Sequence, residues 1–270
     1  MNSRKKSLRR SLCAAILLGM TTLCQLQAQD QPVQYTRVAQ WQIERQHWDA
    51  YEKDFKKNAQ PVLEKLVADG VITEFGSDRT TIHAPDSFSH ATWWSGKTQA
   101  AVEQALEALV ASEAKLSPEE RKRQDTDFAG TRHADLLLRS ILYKSRTVKA
   151  DRGYGIVSAT KVQSGKAQEW QALWDKYTKP VYEKLYADGT VTGYGIDVEQ
   201  VHTGDPGMRY AWHIVPNAEA LDKVNAAFEA VRQKSSPEER RAIGRMFAEV
   251  SEGGAHRDHM SQIIAYSAKQ

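Results

Sequence analysis

The chain has 270 residues, a formal net charge of +3, 41% hydrophobic residues and 26% charged residues. This ordinary globular composition excludes collagen-like, low-complexity and strongly disordered chains. Only two cysteines are present, which excludes a scaffold held together by many disulfides.

The first 28 residues have the pattern of an export signal. Their head carries five basic residues and no acidic residue, an apolar stretch runs from Leu12 to Cys24, and Ala28 offers a small residue for cleavage. The apolar stretch is shorter than the ~20 residues that a membrane-spanning helix needs. We therefore predict cleavage near Ala28 and a periplasmic or secreted mature chain, with an uncleaved anchor as the alternative. The pair Arg9 and Arg10 leaves both the Sec and the twin-arginine routes open.

Removal of this segment changes both the charge and the cysteine content. All five of its charges are basic, so 32 basic and 34 acidic residues remain, and both Cys13 and Cys24 are lost. The mature chain is then predicted to hold no thiol for catalysis, disulfide formation or metal ligation. Its slightly acidic balance gives no support for a nucleic-acid partner, and we predict no membrane span in it.

An internal similarity organises the rest of the sequence. PVLEKLVADG at 61–70 recurs as PVYEKLYADG at 180–189, and SPEER at 117–121 recurs at 236–240, both at an offset of 119 residues. We therefore predict a tandem repeat. The predicted parts are the signal peptide at 1–28, an N-terminal linker at 29–34, repeat 1 at 35–147, a linker at 148–153 and repeat 2 at 154–268.

Each repeat shows the order strand, helix, strand, strand, helices, strand. Strands are predicted near 35–43, 71–83, 90–95 and 138–147 in repeat 1, and at 154–162, 190–202, 208–215 and 261–268 in repeat 2. Helices of repeat 2 are predicted at 167–187, from Pro216 to about 234, and after Ser236. At Ser236, the residues Ser-Pro-Glu-Glu form a capping sequence. Strands with little polar alternation indicate burial on both faces. Two copies would supply two sheets that face each other.

This duplicated order, with an EKLxADG helix end leading into an apolar strand, resembles the dimeric α/β barrel superfamily. The resemblance covers about residues 35–268. It implies an α+β fold class in which two ferredoxin-like (β-α-β-β-α-β) repeats pack their antiparallel sheets as a pseudo-twofold α/β barrel, an intramolecular pseudo-dimer. Members include cofactor-independent quinone-forming monooxygenases, haem-degrading monooxygenases, chlorite dismutases and dye-decolorising peroxidases, so the resemblance implies the fold more strongly than a reaction. Higher oligomerisation stays open.

His83 and His202 are the candidate catalytic residues. They align at the offset of 119 residues, each at the end of the second predicted strand of its repeat, where a histidine can act as a general base or proton shuttle. Capping of the hairpin is the alternative role for both.

Aromatic and histidine side chains on nearby strands are candidates for binding a planar ligand such as a quinone, a flavonoid-like ring or a porphyrin. They are Trp93, Trp94, Trp212, His213, Tyr194 and Phe75. Core packing explains the same residues as directly.

Three further histidines are weak candidates for metal or haem. His133 lies two residues before Asp135, and His256 lies before Asp258 and His259, so a carboxylate could orient each ring. No third ligand is evident, and no metal is predicted. The resemblance implies an axial histidine from the second-helix region in haem-binding members, which would be His133 or His256. We predict no cofactor, with haem as the alternative.

The sequence lacks a nucleophile elbow, a Walker-type loop, a dinucleotide fingerprint and a His-Glu-x-x-His motif. We predict an exported small-molecule-binding protein with an aromatic ligand. The alternatives are a cofactor-independent oxygenase or isomerase with His83 or His202 as base, a haem-binding protein, and a non-catalytic structural or interaction module. Whether the chain is an enzyme stays open.

Overall fold

The computed structural model describes residues 33–84 and 87–269. The predicted export signal at 1–28 lies outside the described residues. The described strands are β1 (Gln34–Gln42), β2 (Glu74–Thr80), β3 (His90–Gly96), β4 (Arg132–Ser145), β5 (Val148–Ala150), β6 (Tyr154–Lys161), β7 (Gly193–Glu199), β8 (Met208–Val215) and β9 (Arg257–Ala268).

The described helices lie between these strands in pairs. They are α1 (Trp48–Asp54), α2 (Gln60–Ala68), α3 (Gln99–Glu113), α4 (Pro118–Asp127), α5 (Ala167–Tyr177), α6 (Lys179–Ala187), α7 (Ala218–Lys234) and α8 (Pro237–Val250), with a 3-10 turn at Arg45–His47 and a π-helix at Phe55–Ala59. Helices α4 and α8 follow Ser117 and Ser236, whose side chains form capping boxes, as predicted for Ser236.

Eight of the described strands close into one antiparallel barrel. Their order around it is β2-β3-β1-β4-β7-β8-β6-β9, and β9 pairs back with β2. The short strand β5 pairs with the end of β9. The helices lie outside the barrel, against its outer face.

The predicted fold class is therefore wrong: the chain forms one closed eight-stranded antiparallel barrel with helices outside, in place of two ferredoxin-like repeats with separate packed sheets. Two separate four-stranded sheets would each leave unpaired N–H and C=O groups along two edges. Pairing of β4 with β7 and of β2 with β9 satisfies these groups and closes the barrel. Hydrophobic patterns in the sequence show which strands are buried, but they do not show which edges pair.

Successive side chains along each strand point alternately into the barrel and outward to the cores beneath the helices. Along β3, Trp94 packs outward with Leu63 and Val102 of the helices, whereas Trp93 points inward and packs near Tyr266 and Ile263. A second outer core lies under α5 to α8. Its largest buried side chains are Trp170, Trp174, Leu185, Tyr194 and Ile196.

Two helical stretches are interrupted. The stretch predicted at 167–187 divides at Thr178, because Pro180 at the start of α6 has no N–H to continue the hydrogen bonds of α5. In the first half of the chain, the π-helix Phe55–Ala59 joins α1 to α2. Among the described helices, none combines the length and the hydrophobicity of a membrane span.

Candidate functional site

A cluster of aromatic, histidine and charged side chains lies where α1 packs on β2 and β3. We call it the His90 cluster, and it consists of Trp48, Tyr51, Glu52, Arg79 and His90. Tyr51 and Trp48 lie with their ring centres 4.8 Å and 5.6 Å from the His90 ring. Arg79 donates through Nη1 to Glu52 at 2.9 Å, and its guanidinium lies 5.6 Å from the centre of the Trp48 ring. The cluster therefore combines flat apolar surfaces with a cation and a buried imidazole.

The hydrogen bonds of Ser89 indicate the tautomer of His90. The hydroxyl of Ser89 can donate its one hydrogen to the carbonyl oxygen of Trp41 or of Ile43, each at 3.2 Å. Oγ of Ser89 also lies 3.0 Å from Nδ1 of His90, and we assign the ring hydrogen to Nδ1 because the hydroxyl hydrogen of Ser89 has carbonyl acceptors of its own. Nε2 of His90 is then an acceptor.

This acceptor has no hydrogen-bond partner among the described residues. It lies 3.7 Å from Oε1 of Glu52, which is too far for a hydrogen bond, and the side chain of His90 is fully buried. Burial lowers the pKa of His90 to about 3, and the positive charges of Arg79 and His83 act in the same direction. His90 is therefore neutral near pH 7, with a buried lone pair that nothing in the described chain satisfies.

The helix that carries the cluster is irregular. The π-helix Phe55–Ala59 begins one residue after α1 ends, three residues beyond Glu52. Single π turns inside helices are frequent at functional sites. Tyr51 is also held protonated, because burial raises its pKa.

The structure places the two predicted catalytic histidines at separate sites. His83 is exposed, and its ring stacks on Trp48 of the His90 cluster with centres 5.3 Å apart and an interplanar angle of 18°. His202 is exposed beyond the end of β7, where it lines a cleft with Arg139 and Arg209. The two histidines therefore do not form one site, and a role as base stays a prediction for each.

The predicted aromatic ligand residues lie in three different cores. Trp93 and Trp212 face the barrel interior. Trp94 and Phe75 are buried in the first outer core, where Nε1 of Trp94 donates to the carbonyl of Val102 at 2.9 Å. Tyr194 and His213 belong to the second half of the barrel. Their contacts are a hydrogen bond from Tyr194 to Glu183 at 2.7 Å and one between His213 Nδ1 and the Tyr182 hydroxyl at 3.1 Å.

The candidate haem and metal histidines are exposed. His133 stacks on Trp41 at 3.9 Å and pairs with Asp135 at 3.0 Å, and His256 pairs with Asp258 at 3.2 Å. His259 is exposed on β9. These open positions provide none of the enclosed apolar surroundings that a porphyrin needs, so the residues do not fit haem. Within the described residues, no three His, Cys, Asp or Glu side chains are grouped as metal ligands.

The sequence pattern does not single out Glu52, Arg79 or His90. A signal for His90 was present, because His90, Thr92 and Trp94 alternate along a strand and Trp94 is an obvious core residue. His90 therefore lies on the same face of the strand as Trp94, which is the face that the helices cover. No comparable signal shows that Glu52 of α1 lies opposite His90.

The comparisons with known proteins are limited to structure. No family model matches the sequence, and no curated protein matches it. The fold is similar to a putative monooxygenase from Fusobacterium nucleatum subsp. nucleatum (TM-score 0.62, 8% identity, 88% of this chain and 96% of that one). It is also similar to a putative monooxygenase from Lactobacillus acidophilus (TM-score 0.56, 9% identity, 87% and 96%).

A chlorite dismutase from Candidatus Nitrospira defluvii has a TM-score of 0.45 at 14% identity, over 84% of this chain and 90% of that one, which is too low a similarity to support an argument. At these identities the similarities concern the fold alone. They show that the fold resembles that of the two putative monooxygenases, and they test neither the tandem duplication nor a reaction.

Proposed function

We propose that this chain binds a small planar aromatic molecule that carries a hydroxyl group, at the His90 cluster. The supporting observation is the buried acceptor Nε2 of His90, which has no partner among the described residues. An unsatisfied buried acceptor destabilises a protein by about 1–3 kcal/mol. A ligand hydroxyl that donates to Nε2 would recover this free energy.

Trp48 supplies the flat surface for the ligand ring. His83 already stacks a planar group on this indole at 5.3 Å, and because His83 is exposed, a ligand ring can replace it. An aromatic pair of this kind contributes about 0.5–1.5 kcal/mol. Arg79, beside the same indole, would stabilise negative charge on the ligand oxygen.

A cofactor-independent oxygenase is the second candidate. The neutral imidazole of His90 can accept a hydrogen bond from the hydroxyl of a phenol or hydroquinone, which makes the ring more electron-rich towards oxygen. The similarity of the fold to the two putative monooxygenases agrees with this candidate. Oxygen consumption with 1,4-dihydroxynaphthalene that His90→Phe abolishes would support the oxygenase, and binding without consumption would support a binding protein.

Removal of the His90 acceptor should abolish selectivity for a hydroxyl group. Calorimetric titration of the wild type should show tighter binding of 1-naphthol than of 1-methoxynaphthalene, which cannot donate a hydrogen bond. The His90→Phe variant should bind the two compounds alike, because a hydrogen bond of ~1 kcal/mol, about fivefold in affinity, is lost.

The matched control is His213→Phe, which removes the buried histidine of the other half of the barrel. It should keep the preference for 1-naphthol. Equal binding of the two compounds by the wild type would contradict the proposal.

Export through a signal at 1–28 and the tandem duplication also stay proposals. Mass spectrometry of the chain purified from the cell envelope tests cleavage near Ala28. The proposed binding needs no cofactor, and an absence of Soret absorbance in protein from haem-replete cells would remove the haem alternative.

A further inference from the structure

Two arginines stand on either side of a valine on the outer face of the barrel. Arg139 of β4 is the register partner of Val198 of β7, and Val198 is the register partner of Arg209 of β8. Their inward neighbours Ser140 and Asp197 hydrogen bond to each other at 2.6 Å, so the three side chains point outward. The two Cα atoms lie about 10 Å apart across two strand spacings, and long guanidinium side chains can converge over that distance.

Neither arginine has a carboxylate partner among the described residues. The side chain of Arg209 donates one hydrogen bond, from Nη1 to the carbonyl of Met208 at 3.1 Å, and its Nε is buried without a partner. Burial lowers the pKa of Arg209, and the charge of Arg139 lowers it further. Two like charges held together with unused donors are unfavourable, and an anion between them would relieve this.

The arginines line a cleft of about 370 Å³. His202 and Gln200 add polar groups to its wall, and Val198 and Met208 add apolar surface. A phosphate or carboxylate group alone is much smaller than this volume, which falls in the range of sites for small organic molecules.

The two acidic residues of the cleft are already engaged. Glu199 is buried and accepts a hydrogen bond from the Tyr210 hydroxyl at 2.8 Å, and Asp205 pairs with Lys161 at 3.2 Å. They therefore leave both guanidinium groups available to a ligand.

We propose that this cleft binds the phosphate or carboxylate group of a small organic molecule, held between Arg139 and Arg209. The planar donor sets of the two arginines would bind the oxygens of the anion, and the apolar wall would contact the organic part. This site is formed by other strands than the His90 cluster, so it stands independently of the function proposed above.

The test is calorimetric titration of the purified protein with phenyl phosphate and with benzoate. At least one probe should bind, more weakly as salt increases, and the stronger of the two identifies the preferred anion. Arg139→Gln and Arg209→Gln should each lower the affinity at least tenfold, since hydrogen bonds to charged groups are strong.

The control is Arg245→Gln, at an exposed position of α8, which should bind as the wild type does. Bound anion should also raise the melting temperature of the wild type and not that of the double variant Arg139→Gln/Arg209→Gln. Failure of both probes to bind, or equal binding by wild type and both single variants, would overturn the proposal. His90→Phe should leave this binding unchanged.

Discussion

Two glycines make room for the two tryptophans inside the barrel. Gly76 is the register partner of Trp93, and Gly195 is the register partner of Trp212. A Cβ atom at Gly76 would overlap the indole of Trp93, and one at Gly195 would lie 2.6 Å from the carbonyl oxygen of Leu142 and 2.8 Å from the indole of Trp212. Both glycines are therefore required by close approach across the strands.

Alanine at either glycine should destabilise the protein. We expect a loss of about 1–3 kcal/mol for Gly76→Ala, because the indole of Trp93 must move. The loss should be larger for Gly195→Ala, because the carbonyl of Leu142 belongs to the backbone and yields less. Urea unfolding measures both.

Gly244 provides the control for these substitutions. It lies within α8, where a Cβ atom would meet none of the described neighbours within 4 Å, so Gly244→Ala should stabilise by about 0.5–1 kcal/mol. A Gly195→Ala variant as stable as the wild type would contradict the close packing.

At the scale of elements, local sequence signals located most strands and helices correctly. Ser236 with Glu239 marks the start of α8, and the strands predicted at 190–202 and 208–215 correspond to β7 and β8. Helix periodicity ran straight through Thr178, because it responds to the apolar face and not to the missing N–H of Pro180. The π-helix Phe55–Ala59 has no pattern of its own, since it changes the hydrogen bonding without changing the residue types.

The candidate site could be predicted only in part. His83 was selected because it aligns with His202, and it does lie on the His90 cluster, where it stacks on Trp48. The free acceptor of His90 depends on a hydrogen bond to Ser89 that in turn depends on two carbonyl groups. Such a chain of contacts is set by tertiary structure, and a single sequence does not contain it.

At the scale of the whole molecule, three carboxyl groups of the barrel interior that the structure describes have raised pKa values. Burial raises the pKa of Asp78 and of Asp197 to about 7, and it raises the pKa of Glu74 as well. Folded protein thus keeps protons that the unfolded chain releases above pH ~4, so these groups make stability fall between pH 4 and 7. The lowered pKa values of His90 and His213 have the opposite effect between pH 4 and 6.5.

The Asp197→Asn variant measures what one carboxyl group contributes to the pH dependence of stability, separately from the opposing effect of the two histidines. Asparagine keeps an acceptor for Ser140 but does not ionise. The free energy of unfolding of the variant minus that of the wild type should therefore be about 2 kcal/mol larger at pH 7 than at pH 5. Urea unfolding at the two pH values measures it.

The control is Asp222→Asn, at an exposed position of α7. It makes the same substitution where solvent surrounds the side chain. A difference between Asp197→Asn and the wild type that is constant with pH would mean that Asp197 is not protonated in the folded state.

The seam between β2 and β9 also determines the order in which the barrel can form. The hydroxyl of Tyr266 donates to Glu74 at 3.2 Å across 192 residues of sequence, whereas Ser140 and Asp197 of the β4–β7 seam are 57 residues apart. Loop-closure entropy favours the shorter loop, so the β2–β9 seam should close after the rate-limiting step of folding. In stopped-flow chevron measurements, Tyr266→Phe should then mainly accelerate unfolding, and Ser140→Ala should mainly slow folding. The reverse pattern would mean that the β2–β9 seam closes early. Whichever seam closes last is the place where a partly folded chain exposes strand edges to its neighbours.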